Sequence, residues 1–146
     1  MNLSIFAESL SELITETKLT PSDFAEKLGC GKGTISRYLS GTKMPSVSLL
    51  IRMADFFRCS TDYLLGLETE RYPRAFKNPI PFQERLPILC KQLNTTKAEM
   101  KRKCDLAESA IYFWQSGERK PSVESIYRIA VAYGCSIDFI LGRSDF

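Results

Sequence analysis

Apolar residues recur along the first half of the chain with the spacing of amphipathic helices. Phe6, Leu10, Leu13 and Ile14 occupy positions i, i+4, i+7 and i+8, which places them on one face of a helix. Four more apolar segments follow before Gly66, and none alternates with the period of two that a half-buried strand requires. The pattern predicts an all-α protein.

Polar and turn-forming residues mark where the second and third helices begin and end. Thr20 offers a side-chain oxygen as an N-cap, and Pro21 suits the first helical position. Gly29 permits the turn that ends this helix. A short helix is then predicted at 32–40, ending at Gly41.

Two more helices are predicted before the first half of the chain ends. Pro45 and Ser46 open the fourth, and Ser60 opens the fifth. The apolar stripe of the fourth helix consists of Val47, Leu50, Ile51, Ala54 and Phe57. Asp62 would lie in the first turn of that last helix, where the positive end of the helix dipole favours a carboxylate. Gly66 closes it. The first half therefore reads as about five short helices.

The whole unit occurs twice. Shifting the sequence by about 76 residues aligns 6–68 with 82–144 without a gap, and a repeat this long indicates a domain rather than one layer of a solenoid. We predict a first domain at 1–68, a linker at 69–81 and a second, divergent domain at 82–146. Many aligned pairs are identical, among them Phe6/Phe82, Leu10/Leu86, Thr20/Thr96, Ile35/Ile111, Gly41/Gly117, Pro45/Pro121, Asp62/Asp138 and Gly66/Gly142.

The predicted linker contains three prolines, which forbid a continuous helix. It also carries Arg71, Arg74 and Lys77. These cations either follow a DNA backbone or minor groove, as basic arms do, or lie solvated on a stiff spacer.

Composition narrows the class of protein. The chain is 44% hydrophobic and 25% charged, with a net charge of +3, which fits an ordinary globular protein without a leader or membrane span, and we expect it to be cytoplasmic. It contains no histidine, which removes histidine-activated nucleophiles and most metal sites, so we expect no enzyme, metal or cofactor and infer no small-molecule ligand. Five cysteines without a C-x-x-C pair predict buried free thiols: Cys30, Cys59, Cys90, Cys104 and Cys135.

Two long segments carry a resemblance to a known family. TPSDFAEKLGCGKGTISRYLSGTKMPSVSLLIRMADFFRCSTDYLLG in the first copy resembles the phage-repressor or Cro-like helix-turn-helix family, also called the XRE family. TKAEMKRKCDLAESAIYFWQSGERKPSVESIYRIAVAYGCSIDFILG carries the same array in the second copy. The resemblance implies two tandem lambda-repressor-like domains, with the helix at 32–40 entering the major groove of double-stranded DNA.

The resemblance also implies which side chains contact DNA. Ile35 and Tyr38 are three residues apart and face the core, which leaves the opposite side of the helix outward. The base-contacting candidates on that side are Lys32, Gly33, Ser36 and Arg37. The phosphate-contacting candidates are Thr20, Ser22, Thr34, Ser40, Thr42 and Lys43. Arg37 can present two parallel donors to a guanine edge, whereas phosphate contacts fix register without reading sequence.

The second copy departs from the family at the helix-turn-helix crossing. Lys101 replaces the small Ala25, and a long cation there must extend to the surface or force the helices apart. Asp105 replaces the turn residue Gly29, which is tolerable in a left-handed conformation but less favoured.

The second copy also departs on the reading face. Glu108, Ser109 and Phe113 replace Lys32, Gly33 and Arg37, which predicts a poor reader of DNA. An outward pair of Tyr112 and Phe113 offers large apolar area at low side-chain entropy, as association surfaces do. Three alternatives stay open for this pair. It forms a protein interface, it packs against the first domain or linker residues such as Tyr72, Phe76 or Ile80, or it contacts DNA.

The sequence therefore predicts a sequence-specific transcriptional regulator, and specifically a repressor that occludes a promoter, because no effector domain follows the second copy. In one hypothesis a homodimer, associating through the second domain, reads a palindromic operator. In another, both domains of one chain touch an asymmetric site. In a third, the chain is an interaction module or antitoxin-like partner that binds a protein instead of DNA.

Overall fold

The structure is a computed structural model that describes residues 1–71 and 75–146. The chain divides into two compact units, Met1–Arg74 and Ala75–Phe146. The predictions made for Tyr72 and Arg74 lie outside the described residues.

Five helices form the first unit: α1 (Leu3–Thr17), α2 (Pro21–Leu28), α3 (Lys32–Leu39), α4 (Val47–Phe57) and α5 (Thr61–Leu64). Five more form the second: α6 (Phe82–Gln92), α7 (Lys97–Lys103), α8 (Ala110–Ser116), α9 (Val123–Tyr133) and α10 (Ile137–Leu141). The regular structure of the described residues is entirely helical, which confirms the predicted all-α fold.

The helix boundaries follow the capping residues of the sequence. Thr20 Oγ1 accepts a hydrogen bond from the backbone N–H of Asp23 at 3.1 Å, and Pro21 is the first residue of α2. Thr96 caps α7 in the same way through the N–H of Glu99, also at 3.1 Å. Serines cap the last two helices of each unit: Ser46, Ser60, Ser122 and Ser136. Each cap satisfies a backbone donor that the first helical turn leaves without a partner.

The apolar stripes form the two cores. The stripe of α1 is buried as predicted, and the Phe24 ring stacks on the Phe57 ring at a centroid distance of 5.2 Å. In the second unit Trp114, which aligns with Tyr38, packs edge to face with Phe82 at 5.6 Å. Val47 and Ile51, which the sequence assigns to the buried stripe of α4, are only half-buried.

Two buried arginines distinguish the second core from the first. Arg85 donates to the carbonyl oxygens of Phe139 (2.5 Å) and Ile140 (3.1 Å) in α10, and burial lowers the pKa of its guanidinium. Arg143 pairs with Asp138 at 2.5 Å. Ser9 and Leu67 stand at the aligned positions of the first copy, so neither cation has a counterpart there.

The end of the predicted linker is attached to the second unit. The N–H of Lys77 donates to the carbonyl of Arg143 at 2.8 Å, and the Phe76 ring lies 4.5 Å beneath the Arg143 guanidinium. Lys77 Nζ also pairs with Asp145 at 2.5 Å, and Arg71 pairs with Glu16 at 2.8 Å within the first unit. Arg71 and Lys77 therefore have carboxylate partners, which an arm that follows DNA would have to give up.

Candidate nucleic-acid interface

The helix-turn-helix of the first unit is held by backbone geometry and one arginine. Gly29 ends α2 with φ of 70°, a left-handed conformation that glycine adopts without strain. The N–H of Cys30 returns to the carbonyl of Ala25 at 3.0 Å. The Arg52 guanidinium from α4 donates to the carbonyl of Leu28, which ties the end of α2 to the core.

The helix α3 presents two chemically different sides. Ile35 and Tyr38 are buried as predicted, and Tyr38 packs edge to face against Phe6 with ring centroids 6.1 Å apart. Burial raises the pKa of the Tyr38 phenol, which keeps it neutral. The four base-contacting candidates are all exposed: Lys32, Gly33, Ser36 and Arg37.

Gly33 differs from the other three because it has no side chain, although the backbone at this position does not require a glycine. A Cβ placed on Gly33 would meet no atom within 4 Å, and its φ lies outside the left-handed region. Glycine inside a helix costs roughly 0.5 to 1 kcal/mol relative to alanine. The position therefore leaves open space on the outward face at a small cost in stability.

The phosphate-contacting candidates differ in what their side chains already do. Thr20 Oγ1 accepts a backbone hydrogen bond as the N-cap, which leaves its own proton able to donate. Ser22 and Lys43 are exposed, and Thr34 is half-buried.

Ser40 and Thr42 turn back on the end of α3. Ser40 Oγ lies 3.0 Å and Thr42 Oγ1 3.2 Å from the carbonyl oxygen of Arg37, and the Thr42 N–H donates to the same oxygen at 3.0 Å. The two hydroxyls are also 3.0 Å from each other. A hydroxyl has a single proton, so donation to a phosphate would break bonds that hold the turn from which Arg37 projects. Their phosphate-contacting role stays a prediction, and the structure shows them supporting Arg37.

The second unit accommodates Lys101 by extending its cation to the surface and Asp105 by a left-handed turn. The side chain of Lys101 is 32% exposed, and its Nζ reaches Glu108 Oε1 at 2.7 Å, so the cation extends to the surface. Asp105 adopts the left-handed conformation with φ of 50°. Arg128 Nη1 donates to the Asp105 carbonyl at 2.9 Å, much as Arg52 does to Leu28 in the first unit.

The aromatic cluster of α8 divides into a buried and an exposed pair. Ile111 and Trp114 are in the core, as predicted. Tyr112 is 63% exposed and Phe113 is half-buried, with their ring centroids 5.4 Å apart. The guanidinium of Arg119 lies 4.3 Å from the centre of the Phe113 ring. Of the linker residues proposed as partners for Phe113, Phe76 lies instead under Arg143, and Tyr72 is outside the described residues.

The family model described as Helix-turn-helix matches this chain twice, at residues 10–64 and 88–140. The two matches contain α2–α3 and α7–α8, and together they cover more than half of the chain. The chain belongs to the XRE family of helix-turn-helix proteins.

Three relatives from Bacillus subtilis (strain 168) belong to the same class by name. The HTH-type transcriptional regulator ImmR is 25% identical over 125 residues, which cover 86% of this chain and 87% of the relative. The uncharacterized HTH-type transcriptional regulators YobD and YqaE are 31% and 33% identical over 49% and 44% of this chain. These matches span only 63% of YobD and 56% of YqaE. No solved structure gave a significant match.

Sequence reasoning missed the placement of Arg119 on this XRE-family scaffold. Arg119 lies in the loop after α8, two residues beyond the helix-ending Gly117, and aligns with Lys43. The available signal was an arginine just past a helix that ends in aromatic residues. Sequence spacing alone does not show which ring such a flexible side chain contacts.

Within the described residues, the cysteines form no disulfide and belong to no candidate metal cluster. Cys59, Cys90 and Cys104 are buried, and Cys30 and Cys135 are half-buried. Burial raises the pKa of the Cys90 and Cys104 thiols. The predicted burial is confirmed for three of the five cysteines. Along residues 1–71 and 75–146, no helix is long and apolar enough to cross a membrane.

Proposed function

We propose that this protein is a sequence-specific DNA-binding transcriptional regulator whose first unit reads the major groove with α3. The observation that carries the proposal is the two-sided character of α3. Ile35 and Tyr38 anchor one side in the core, while Lys32, Gly33 and Arg37 are exposed together on the other. A helix held in this way can enter a groove as a rigid body.

The outward side chains suit direct readout of bases. Arg37 carries a planar fork of donors that matches the O6 and N7 acceptors of guanine, and Lys32 can reach a guanine or a phosphate. Gly33 leaves room between these two cations for the edge of a base pair. Charge alone does not explain the binding proposed here, since the first copy through Glu68 has seven basic and eight acidic residues.

Two residues that flank the helix-turn-helix, Thr20 and Lys43, would contact the phosphate backbone. Thr20 retains a free hydroxyl proton at the start of α2, and Lys43 is exposed in the loop after α3. Such contacts set the orientation of α3 without selecting a sequence. Regulation then follows from occupancy, because a protein bound over a promoter excludes the polymerase. We accordingly propose a repressor.

Homodimerisation is the assembly that we propose for tight binding. A single α3 reads one half-site, and a second copy about 34 to 36 Å away would read the other half of a palindrome. The names of the three relatives support a regulator and say nothing about the number of chains.

Selection from a pool of random double-stranded DNA tests the function. The full chain is expected to enrich one sequence class, and the length and symmetry of its footprint distinguish a palindrome from an asymmetric site. The mass of the protein in solution, free and bound, gives the number of chains. If no sequence is enriched at any salt concentration, the proposal fails and a protein-binding module replaces it.

A further inference from the structure

The face of the second unit that corresponds to the reading face of α3 carries a cation that alignment of the two copies does not show. Phe113 stands where the first unit has Arg37, so alignment shows a loss of charge. In the folded unit the Arg119 guanidinium lies 4.3 Å over the Phe113 ring. The N–H of Arg119 also donates to the Phe113 carbonyl at 3.3 Å, which brings the loop back onto α8.

A guanidinium that lies over an aromatic ring can still donate hydrogen bonds through its N–H groups. The five N–H donors of a guanidinium lie in its plane, and one ring 4.3 Å from the guanidinium carbon of Arg119 does not occupy all of them. Within the described residues no carboxylate pairs with Arg119, and the residue is exposed. The donors can therefore form two parallel hydrogen bonds to an external acceptor.

The negative charge of Glu108, which also argues against DNA contact, has a cationic neighbour in the folded unit. Glu108 aligns with Lys32, and a free carboxylate there would be repelled by phosphates. Lys101 Nζ lies 2.7 Å from Glu108 Oε1, so a cation stands beside this exposed carboxylate and offsets part of its charge. Lys101, which departs from the family at the helix crossing, thus offsets part of the charge of Glu108, which departs from it on the reading face.

The residues that flank the second helix-turn-helix make some of the same hydrogen bonds as those that flank the first. Thr96 caps α7 with the same 3.1 Å geometry as Thr20, and Ser116 Oγ lies 3.2 Å from the Phe113 carbonyl, as Ser40 does from that of Arg37. Exposed Arg119 and Lys120 follow in the loop.

We propose that the second unit is a second DNA-contacting domain in which Arg119, supported by Phe113, recognises a guanine edge in the major groove. Tyr112, 63% exposed beside Phe113, supplies apolar contact for a thymine methyl on a neighbouring base pair. The ligand is duplex DNA with guanine next to thymine. This inference rests on the proposed function, since it adds a second contact to the one made by α3.

A second copy of the chain is the competing occupant, and this face suits it less well. A stable protein interface buries about 800 Å² on each partner around an apolar centre depleted in charge. Tyr112 is the large apolar residue that α8 leaves substantially exposed, and an unpaired guanidinium stands next to it. One exposed ring is ordinary for a soluble surface.

The test compares variants of the full chain on the duplex selected from the random pool. Arg119→Ala is expected to weaken binding at least about five-fold and to abolish preference at one G·C pair, while the rest of the site stays selected. Arg119→Lys should lose the same preference with a smaller loss of affinity, since it keeps the charge without the fork. Arg102→Ala, which removes an exposed arginine from α7 of the same unit, is the matched control and should leave preference unchanged.

Three outcomes would overturn the inference. The first is Arg119→Ala binding within about two-fold of the parent with unchanged preference. The second is a change in mass from dimer to monomer in Arg119→Ala, which would assign the face to a partner chain. The third is an equal effect of Arg102→Ala, which would reduce Arg119 to bulk charge.

Arg37→Ala in the same assay separates this inference from the function proposed for α3. If Arg37→Ala abolishes binding and Arg119→Ala has no effect, the inference fails and the function of α3 stands. If Arg119→Ala lowers affinity and Arg37→Ala does not, the assignment of α3 fails and the second unit is the reader.

Discussion

The helices α3 and α8 show the same buried side with two different outward chemistries. Ile35 and Tyr38 in one, and Ile111 and Trp114 in the other, anchor the helix in its core. The outward positions differ, with Lys32, Gly33 and Arg37 in the first unit and Glu108, Ser109 and the half-buried Phe113 in the second. The comparison teaches that the buried positions preserve a helix-turn-helix while its surface is free to change partner chemistry.

The loops after the two helices extend this comparison. In the first unit Thr42 returns its N–H and hydroxyl to the carbonyl of Arg37. In the second, Arg119 returns its N–H to the carbonyl of Phe113 and its guanidinium to the ring. Both loops support the same position of the helix through hydrogen bonds to its carbonyl, and the second loop adds a cation.

The largest expected effect comes from moving the lysine of the second crossing into the first. Ala25 is 2% exposed, and the position of Glu108 is occupied there by Lys32, so Ala25→Lys buries a cation beside another cation. We expect a loss of about 3 kcal/mol in the free energy of unfolding of the first unit. Urea unfolding followed by circular dichroism measures it.

Two controls sharpen this experiment. Fluorescence of Trp114, the single tryptophan of the chain, reports the second unit, and its unfolding midpoint should not move in Ala25→Lys. Lys101→Ala in the second unit should cost less than about 1 kcal/mol, because it removes a largely solvated ion pair. Equal stability of Ala25→Lys and the parent would show that the two crossings tolerate a lysine alike.

The next effect concerns DNA binding by α3. Arg37→Ala should reduce specific affinity by about 1 to 3 kcal/mol and relax one base position, since it removes a pair of donors from an exposed face. Titration of the selected duplex measures the affinity, and thermal unfolding verifies that the fold is intact. Arg37→Lys is the matched control for charge, and it should keep nonspecific affinity. Unchanged operator affinity in Arg37→Ala would refute the role of α3.

A smaller effect is expected where the turn residues of the two motifs differ. Asp105 has φ of 50°, a region that glycine occupies without the steric cost of a Cβ. Asp105→Gly should therefore stabilise the second unit by up to about 1 kcal/mol. Gly29→Ala, at φ of 70°, should destabilise the first unit by about 1 to 2 kcal/mol. A loss of stability in Asp105→Gly would mean that its side chain does more than occupy the turn.

The smallest perturbation is the labelling of thiols under native conditions. Cys30 and Cys135 are half-buried, whereas Cys59, Cys90 and Cys104 are buried. Burial also raises the pKa of the Cys90 and Cys104 thiols, which lowers the thiolate fraction near pH 8. Mass spectrometry after brief alkylation should find Cys30 and Cys135 modified first. Early modification of Cys104 would indicate that the second core opens more readily than its packing suggests.

The helices could be predicted from local chemistry, because capping residues and turns act within a few positions of the chain. Thr20, Thr96 and Ser46 cap the helices they were expected to cap, and Gly29 turns the chain after α2. The half-burial of Val47 and Ile51 could not be predicted, since burial at the edge of a stripe depends on the neighbouring helices.

The candidate site was only partly predictable for the same reason. The outward placement of Lys32 and Arg37 follows from helical periodicity once Ile35 and Tyr38 are buried. Their contact with DNA stays a prediction. In the second unit, the pairing of Lys101 with Glu108 joins residues seven positions apart, one on α7 and one in the turn before α8, which periodicity does not relate.

The sequence by itself determined the repeat, the helical fold and the division of each helix into buried and outward sides, because these depend on periodicity and short-range capping. Only the tertiary structure decided where long flexible side chains end. Arg119 lies over the Phe113 ring, and Lys101 pairs with Glu108. A side chain with several rotatable bonds selects its partner from what the folded unit brings within reach, and that choice sets the chemistry of both faces.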